Sequence, residues 1–129
     1  MTLAYRFRQA AEPNRERAEP VQIWKARRFV EECSAEELSL GKVAQAVNIS
    51  ANYLSEKFKQ VTGVNFVHYV ARIRFEKARD LLEKTDLRIS EIAFEVGFQS
   101  LSQFNRCFKK LADRSPTEYR ASRGGKRRS

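Results

Sequence analysis

The sequence predicts an all-α fold of about seven helices, organised as two helix-turn-helix subdomains that a long linker helix bridges. Three features of the chain support this prediction. Apolar residues recur at spacings of three and four, and no convincing strand-like alternation of apolar and polar residues is present. Glycine and proline are scarce, with five and three among 129 residues. Two segments repeat one pattern of helix, tight turn and helix, which indicates an internal duplication.

Charged segments flank the predicted domain, which covers residues 21–121. Residues 1–20 carry four Arg, three Glu and two Pro, a composition that favours a disordered arm or an interdomain linker. Residues 122–129 are expected to form a disordered basic tail, which supplies +4 of the net charge of +9. A positive excess of this size favours a polyanionic partner such as nucleic acid.

The composition argues against several other classes of protein. No apolar run approaches the roughly 20 residues that a membrane span needs, and the N-terminal segment has no hydrophobic signal region. Membrane binding and secretion are therefore not expected. Cys33 and Cys107 are 74 residues apart and His68 is the one histidine, whereas a metal site needs three or four clustered ligands. We expect free thiols, no metal and no cofactor.

Start and stop signals divide the domain into helices. The expected helices cover residues 21–33, 39–47, 51–61, 66–85 and 90–96, a sixth that follows Ser100 and ends at Asp113, and a seventh from Pro116 through Arg120. Ser39, Ser50 and Asn65 stand where a side chain can cap the following helix. Gly97 is expected to take the positive φ that a sharp stop requires. The pairs Ser100 with Gln103 and Ser115 with Glu118 have capping-box spacing.

These helices group into three segments, and the duplication relates the outer two. The first helix-turn-helix is expected at residues 21–64, the linker helix at 65–85 and the second helix-turn-helix at 86–121. Equivalent residues lie 49 positions apart before the tight turn and 50 after it, so the second turn contains one extra residue. The inward faces are expected to contain Leu54, Lys57 through its stem, Phe58 and Val61 in the first copy, and Phe104, Cys107, Phe108 and Leu111 in the second.

The outward faces of the same two helices are mostly polar. Such a face either enters the major groove of DNA, as in a helix-turn-helix protein, or is a plain solvated surface. For DNA binding, Arg106 suits guanine, and Asn52 or Asn105 suits adenine. Glu56 can accept a hydrogen bond from a cytosine amino group or exclude other sequences. Leu101 can contact a thymine methyl group.

Three stretches of the sequence resemble the AraC/XylS family of transcription regulators. They are LSLGKVAQAVNISANYLSEKFKQVTG, FVHYVARIRFEKARDLLEKTDLRISEIAFEVGFQSLSQFNRCFKK and SPTEYR, and the resemblance covers about residues 21–121. It implies seven helices in two helix-turn-helix subdomains, whose recognition helices bind one face of double-stranded DNA. Residue by residue, it implies base contacts from Asn52, Ser55, Glu56, Leu101, Ser102, Asn105 and Arg106.

Three positions depart from the family pattern. Glu56 stands where the family often has Arg, which puts the usual base contact of the first half in doubt. Asp113 replaces a frequent Gly, although Asp tolerates the left-handed conformation of a helix C-cap. Arg88 occupies a position where a capping residue such as Ser is usual. Losing a cap costs roughly 0.5–2 kcal/mol, so this helix is expected to start at a different residue or to fray.

The features above predict a sequence-specific regulator that binds double-stranded DNA, controls transcription initiation and resides in the cytoplasm at the nucleoid. Phosphate contacts are expected from Ser50, Lys59, Ser100, Lys109, Arg123, Lys126, Arg127 and Arg128. RNA polymerase and an effector-binding domain in a longer chain are further candidate partners. The segment AAEPNRERAEP favours a longer chain over a stand-alone regulator, and both alternatives are open.

Two other classes of protein compete with this hypothesis. A helical protein-interaction module without DNA binding would use the same helices. An enzyme is not expected, because Cys107 falls on a predicted inward face and His68 is distant in sequence.

Structural roles, in the core or in surface ion pairs, are expected for the aromatic residues and linker-helix arginines discussed next. The aromatic residues expected in the core are Trp24, Phe29, Phe66, Tyr69 and Phe75. The linker-helix arginines expected to form ion pairs with Glu76, Asp80 and Glu83 are Arg72, Arg74 and Arg79.

Overall fold

The computed structural model describes residues 20–122, which form seven helices and no strand. The helices are α1 (Val21–Cys33), α2 (Leu40–Ala46), α3 (Ala51–Thr62), α4 (Phe66–Lys84), α5 (Ile89–Glu95), α6 (Leu101–Ala112) and α7 (Pro116–Ser122). The predicted all-α fold is therefore confirmed. The predicted arm and the predicted tail, with Arg123, Lys126, Arg127 and Arg128, lie outside the described residues apart from Pro20 and Ser122.

Two hydrophobic cores divide these helices into two subdomains. The first core joins α1, α2 and α3 to the N-terminal part of α4, which contributes Phe66 and Val70. The second joins α5, α6 and α7 to the remainder of α4, which contributes Phe75, Ala78 and Leu82. Each fully buried Leu or Phe side chain contributes about 1.5–3 kcal/mol. The 19-residue helix α4 is thus both the linker and a wall of each core.

Side-chain caps start the helices where the sequence predicts them. The side-chain oxygens of Ser39, Ser50, Asn65 and Ser100 each accept a hydrogen bond from the backbone N–H three residues later, at 3.0, 3.1, 2.9 and 3.0 Å. The capping box at α6 differs from the expected form. Gln103 Oε1 accepts from the N–H of Gln99 at 3.0 Å, so it satisfies the residue before the cap.

Four residues with positive φ end helices, and they confirm the duplication. Asn48 (φ 65°) and Gly97 (φ 110°) lie in the tight turns, while Gly63 (φ 86°) and Asp113 (φ 64°) end the helices that follow. The turns also share their hydrogen bonds. In each turn, the N–H of the residue after Asn48 or Gly97 bonds back to an alanine carbonyl at 3.0 Å. Asp113 therefore replaces glycine without loss of the cap.

The start of α5 differs from the expectation for an uncapped helix. Arg88 has only donor groups on its side chain and cannot accept a bond from the first turn. The helix nevertheless begins directly after it, at Ile89. Glu91 Oε1 accepts from the N–H of Arg88 at 2.8 Å, which is the bond that the third helical residue makes in a capping box, so the start of α5 keeps this half of the box without a side-chain cap.

The predicted capping box at α7 is present. Ser115 Oγ accepts from the N–H of Glu118 at 3.1 Å, and Glu118 Oε1 accepts from the N–H of Ser115 at 2.9 Å. These bonds to the Ser115 backbone and hydroxyl favour the ionised form and lower the pKa of the Glu118 carboxyl.

Arg120 of α7 is buried and closes the C-terminal end of α4. Its guanidinium donates to the carbonyl oxygens of Leu82, Thr85 and Leu87 at 3.2, 3.1 and 2.7 Å. These carbonyls belong to the last turn of α4 and to the connection that follows. Through Arg120, the SPTEYR stretch therefore binds α7 to the C-terminal end of the linker helix.

Several expectations for individual side chains are wrong. Trp24 is not a core residue, because half of its surface is exposed and the Arg28 guanidinium lies 5.1 Å above its ring. Leu111 is 39% exposed and does not belong to the inward face of α6. Of the linker-helix arginines, Arg72 pairs with Glu76 at 3.5 Å as expected, whereas Arg79 stacks on Phe75 at 5.5 Å. Within residues 20–122, none of the helices combines the length and the apolar composition of a membrane span.

Candidate nucleic-acid interface

The helix α3 follows the tight turn of the first subdomain and has two distinct faces. Leu54 and Phe58 are fully buried in the first core, as their spacing of four predicts. The opposite side is exposed, and it carries the four residues predicted for the outward face, Asn52, Ser55, Glu56 and Lys59. Burial of one side thus leaves a row of polar groups directed at solvent.

The helix α6 repeats this arrangement in the second subdomain. Phe104 and Phe108 are buried, and Phe108 packs against Phe75 of α4 with ring centroids 4.9 Å apart. All five outward residues predicted for this helix are exposed: Leu101, Ser102, Asn105, Arg106 and Lys109. Every predicted base-contact residue therefore lies on the surface of one of two equivalent helices.

An aromatic contact anchors each of the two helices in the same way. Phe58 of α3 meets Tyr69 edge-on at 4.8 Å, and Phe108 of α6 meets Tyr119 edge-on at 5.5 Å. Both pairs obey the 50-residue offset of the duplication. Edge-to-face pairs of this kind contribute about 0.5–1.5 kcal/mol beyond the area that they bury. The recognition helices are thus held on equivalent, preorganised supports.

The exposed polar groups on these helices are available to an external partner. Within residues 20–122, the side chains of Asn52, Asn105 and Arg106 have no hydrogen bond or ion pair to another protein group. Glu56 and Lys59 are likewise unpaired in the described part of the chain. A guanidinium and two carboxamides in this state can make the bidentate contacts that read base edges.

The N-termini of both recognition helices also face solvent. Ser50 and Ser100 are exposed, and each hydroxyl oxygen is engaged as a cap while its own hydrogen remains free to donate. The first-turn N–H groups and the helix dipole make such an end favourable for a phosphate. Both predicted serines therefore combine a capping role with a geometry that suits an anion.

Two exposed residues near the candidate interface were not predicted from the sequence. Tyr53, the third residue of α3, is 41% exposed and lies between Asn52 and the buried Leu54. The sequence feature that could have identified Tyr53 is an aromatic residue that lies outside the apolar face of α3. Gln99 is also exposed and is the extra residue of the second turn. The change of the repeat offset from 49 to 50 is the sequence feature that could have identified it.

Cys107 and His68, the residues considered as candidate nucleophile and base, lie in different environments. Burial raises the pKa of the Cys107 thiol, although Lys110 and Arg74 oppose the shift, so the reactive thiolate is disfavoured. His68 is exposed on α4. Among residues 20–122, no three His, Cys, Asp or Glu side chains are grouped to hold a metal ion.

Comparisons with known proteins agree with this architecture. Residues 43–122 match the family described as a helix-turn-helix domain. The chain is 40% identical over 94 residues to the uncharacterized helix-turn-helix-type transcriptional regulator YijO of Escherichia coli K12. That match covers 73% of this chain but 33% of YijO, so the chain spans about a third of the length of this relative.

Two solved structures share the fold over most of their length. The C-terminal domain of AraT, a response regulator from Geobacillus stearothermophilus, is 38% identical with a TM-score of 0.79, covering 81% of this chain and 88% of that domain. A Chromobacterium violaceum regulator with an AraC-type DNA-binding domain is 30% identical with a TM-score of 0.74, covering 79% and 91% of the two chains. The chain therefore belongs to the AraC/XylS family of helix-turn-helix proteins and contains the DNA-binding domain of a transcription regulator.

Proposed function

We propose that this domain reads one asymmetric, double-stranded DNA site with both recognition helices and thereby controls transcription initiation. Helix α3 enters one major-groove segment, and α6 enters the next, about 34 Å away along one face of the duplex. The observation that carries the proposal is the pair of exposed, unpartnered polar faces at equivalent positions of the duplication. Because the two faces differ in sequence, a single copy of the chain suffices for one site.

The contacts divide into those that select bases and those that hold the backbone. The base contacts are assigned to Asn52, Ser55, Glu56, Leu101, Ser102, Asn105 and Arg106. The phosphate contacts within the described residues are assigned to Ser50, Lys59, Ser100 and Lys109. The basic residues after Ser122 add sequence-independent affinity.

The wider setting of the domain is part of the same proposal. The 94 matched residues make up 33% of the curated relative, which is consistent with an effector-binding domain in a longer protein. RNA polymerase is the partner through which a bound regulator would act on initiation. Because the proposed target is DNA, we expect the protein at the nucleoid in the cytoplasm. The function requires no catalysis, no metal and no cofactor.

Selection from random double-stranded DNA, followed by binding measurements with the whole chain, tests the proposal. We expect a recovered site with two unlike halves, and weaker binding when either half is scrambled. The logarithm of the binding constant should fall linearly with the logarithm of salt concentration, with a slope near −0.9 for each phosphate neutralised. Equal binding to scrambled DNA would refute sequence-specific recognition. No salt-sensitive binding at all would favour a protein-interaction module.

A further inference from the structure

A cluster of polar contacts forms between the first subdomain and α4 around one buried residue, Ser34. Ser34 directly follows α1 and has no exposed surface. Its carbonyl oxygen accepts from Arg74 Nε at 2.8 Å, and its hydroxyl oxygen accepts from Lys77 Nζ at 2.7 Å. Both donors come from the middle of α4. A buried polar residue whose carbonyl and hydroxyl are each bonded to the linker helix fixes the position of α1 on that helix.

The same two side chains reach further along the first subdomain. Arg74 Nη2 donates to the carbonyl oxygen of Glu36 at 2.9 Å, and Lys77 Nζ donates to that of Glu31. These carbonyls lie at the C-terminal end of α1 and in the loop after it, where positive charge is favoured by the helix dipole. The side chains of Arg74 and Lys77 therefore bind four oxygen atoms at the C-terminal end of α1 and in the loop after it.

The tight turn of the second subdomain rests against this cluster of polar contacts. A Cβ atom placed on Gly97 would lie 2.4 Å from the carbonyl oxygen of Ser34 and 2.8 Å from Arg74 Nε. It would also lie 3.1 Å from the Cα atom of Ala35. The turn that leads into α6 thus approaches the first subdomain closely enough to exclude any side chain. We call Ser34, Arg74, Lys77 and Gly97 the subdomain junction.

We propose that the subdomain junction sets the orientation of α6 relative to α3, and so determines which separation of the two half-sites the protein accepts. This inference rests on the proposed reading of DNA by both helices. The two hydrophobic cores share no residue among those described, and the approach of Gly97 to Ser34 adds a contact between the subdomains beyond α4 itself. One base pair of extra spacing rotates a half-site by about 34°, since a turn of DNA contains 10–10.5 base pairs. A rigid junction makes binding sensitive to that rotation.

Arg74→Met and Gly97→Ala perturb the junction in different ways. Arg74→Met keeps an unbranched apolar stem but removes both hydrogen bonds of the guanidinium, which loosens the contact. Gly97→Ala inserts a methyl group between the subdomains and shifts their relative position. Lys77→Met provides a second loosening variant, which removes the bonds to the Ser34 hydroxyl and the Glu31 carbonyl and leaves Arg74 in place.

Two control variants match these changes without touching the junction. Gly63 also has a positive φ, at 86°, but a Cβ atom placed there meets nothing within 4 Å. Gly63→Ala therefore also places a methyl group on a residue with positive φ, but without a contact across the subdomain junction. Arg72→Met removes an exposed arginine from the same helix and breaks only its ion pair with Glu76.

The experiment measures binding of each full-length chain to the selected site and to versions with one or two base pairs added or removed between the halves. We expect one added base pair to weaken wild-type binding about tenfold or more, and binding by Arg74→Met or Lys77→Met about threefold or less. Gly97→Ala should bind best at a changed separation. Both controls should keep the wild-type profile. Thermal melts and binding to DNA with one intact half verify that each variant is folded.

The outcomes separate the inference from the proposed function. If the wild type depends on spacing and the folded junction variants keep its profile, the junction does not set the separation and the inference is wrong. A uniform loss on every DNA, including the single-half site, would assign the junction a purely structural role and also contradict it. A wild type indifferent to the second half would refute two-helix reading, and the inference with it.

Discussion

Glu56 and Arg106 occupy the same place in the two recognition helices. Each is the sixth residue of a 12-residue helix, each is exposed, and the 50-residue offset of the duplication relates them. Opposite charges at equivalent positions cannot favour the same base, because a guanidinium donates hydrogen bonds and a carboxylate accepts them. If both helices read DNA as proposed, the two halves of the site should therefore differ at the bases assigned to these side chains.

Replacement of Arg106 by alanine should relax one base preference. The loss of a bidentate contact to guanine costs about 1–3 kcal/mol on the preferred site and little on a site changed at that base. Competition binding against single-base variants of the selected site measures this. Arg28→Ala, which removes an exposed arginine from α1, is the charge-matched control. A uniform loss on all sequences would identify Arg106 as a phosphate contact.

Replacement of Glu56 by glutamine should increase affinity while it reduces specificity. A carboxylate near phosphates opposes binding to any DNA, and its loss also removes an acceptor for a cytosine amino group. We expect tighter binding to unrelated DNA and a smaller ratio between selected and unrelated sites. Glu32→Gln is the control, because it makes the same charge change at an exposed position of α1. An unchanged ratio would place Glu56 away from the bases.

Truncation after Ser122 should reduce the salt dependence of binding. The removed residues include four Lys or Arg, and the slope should become shallower by about 0.9 for every phosphate that is no longer neutralised. The preference for the selected site over unrelated DNA should change little, since phosphate contacts carry no sequence information. Binding titrations over a range of salt concentrations give both quantities. An identical slope would show that the tail does not meet DNA.

Arg120→Met should destabilise the second subdomain. The change leaves the carbonyl oxygens of Leu82, Thr85 and Leu87 without their buried donor, and we expect the free energy of unfolding to fall by about 2–4 kcal/mol. Urea unfolding followed by circular dichroism measures it. The exposed Arg114→Met is the control and should change stability by less than about 0.5 kcal/mol. Equal effects of the two variants would show that the hydrogen bonds of Arg120 do not stabilise the second subdomain.

Cys107 should behave as an inert, protonated thiol near neutral pH. Burial raises its pKa in the folded state, so alkylation by iodoacetamide should be slower in the folded chain than in urea. The folded thiol should become reactive at a higher pH than the unfolded one. Stability gained from the neutral thiol is present below the unfolded pKa and is lost as pH rises through the folded pKa. A Cys33→Ser background isolates the signal, and rapid alkylation at pH 7 would instead indicate an activated nucleophile.

Local signals in the sequence predicted the helices well because their causes are local. Ser50 and Asn65 cap helices through bonds to residues three positions away, and Asn48 and Gly97 end helices through their own backbone angles. The exposed position of Arg106 followed from helical periodicity in the same way. Trp24 was misplaced because burial depends on which helix covers a face, and no helix covers that part of α1 among the described residues.

The seven helices, the duplication and the two polar faces could be predicted from the sequence, since each depends on spacing within a few residues or on comparison of the chain with itself. How the two halves meet depends on tertiary packing. Arg74 was expected to pair with a carboxylate on its own helix, yet it bonds to Ser34 and Glu36 about 40 residues away. The positive φ of Gly97 could be predicted, but its closeness to Ser34 could not. That contact joins residues distant in the chain, and only packing of both subdomains on α4 brings them together.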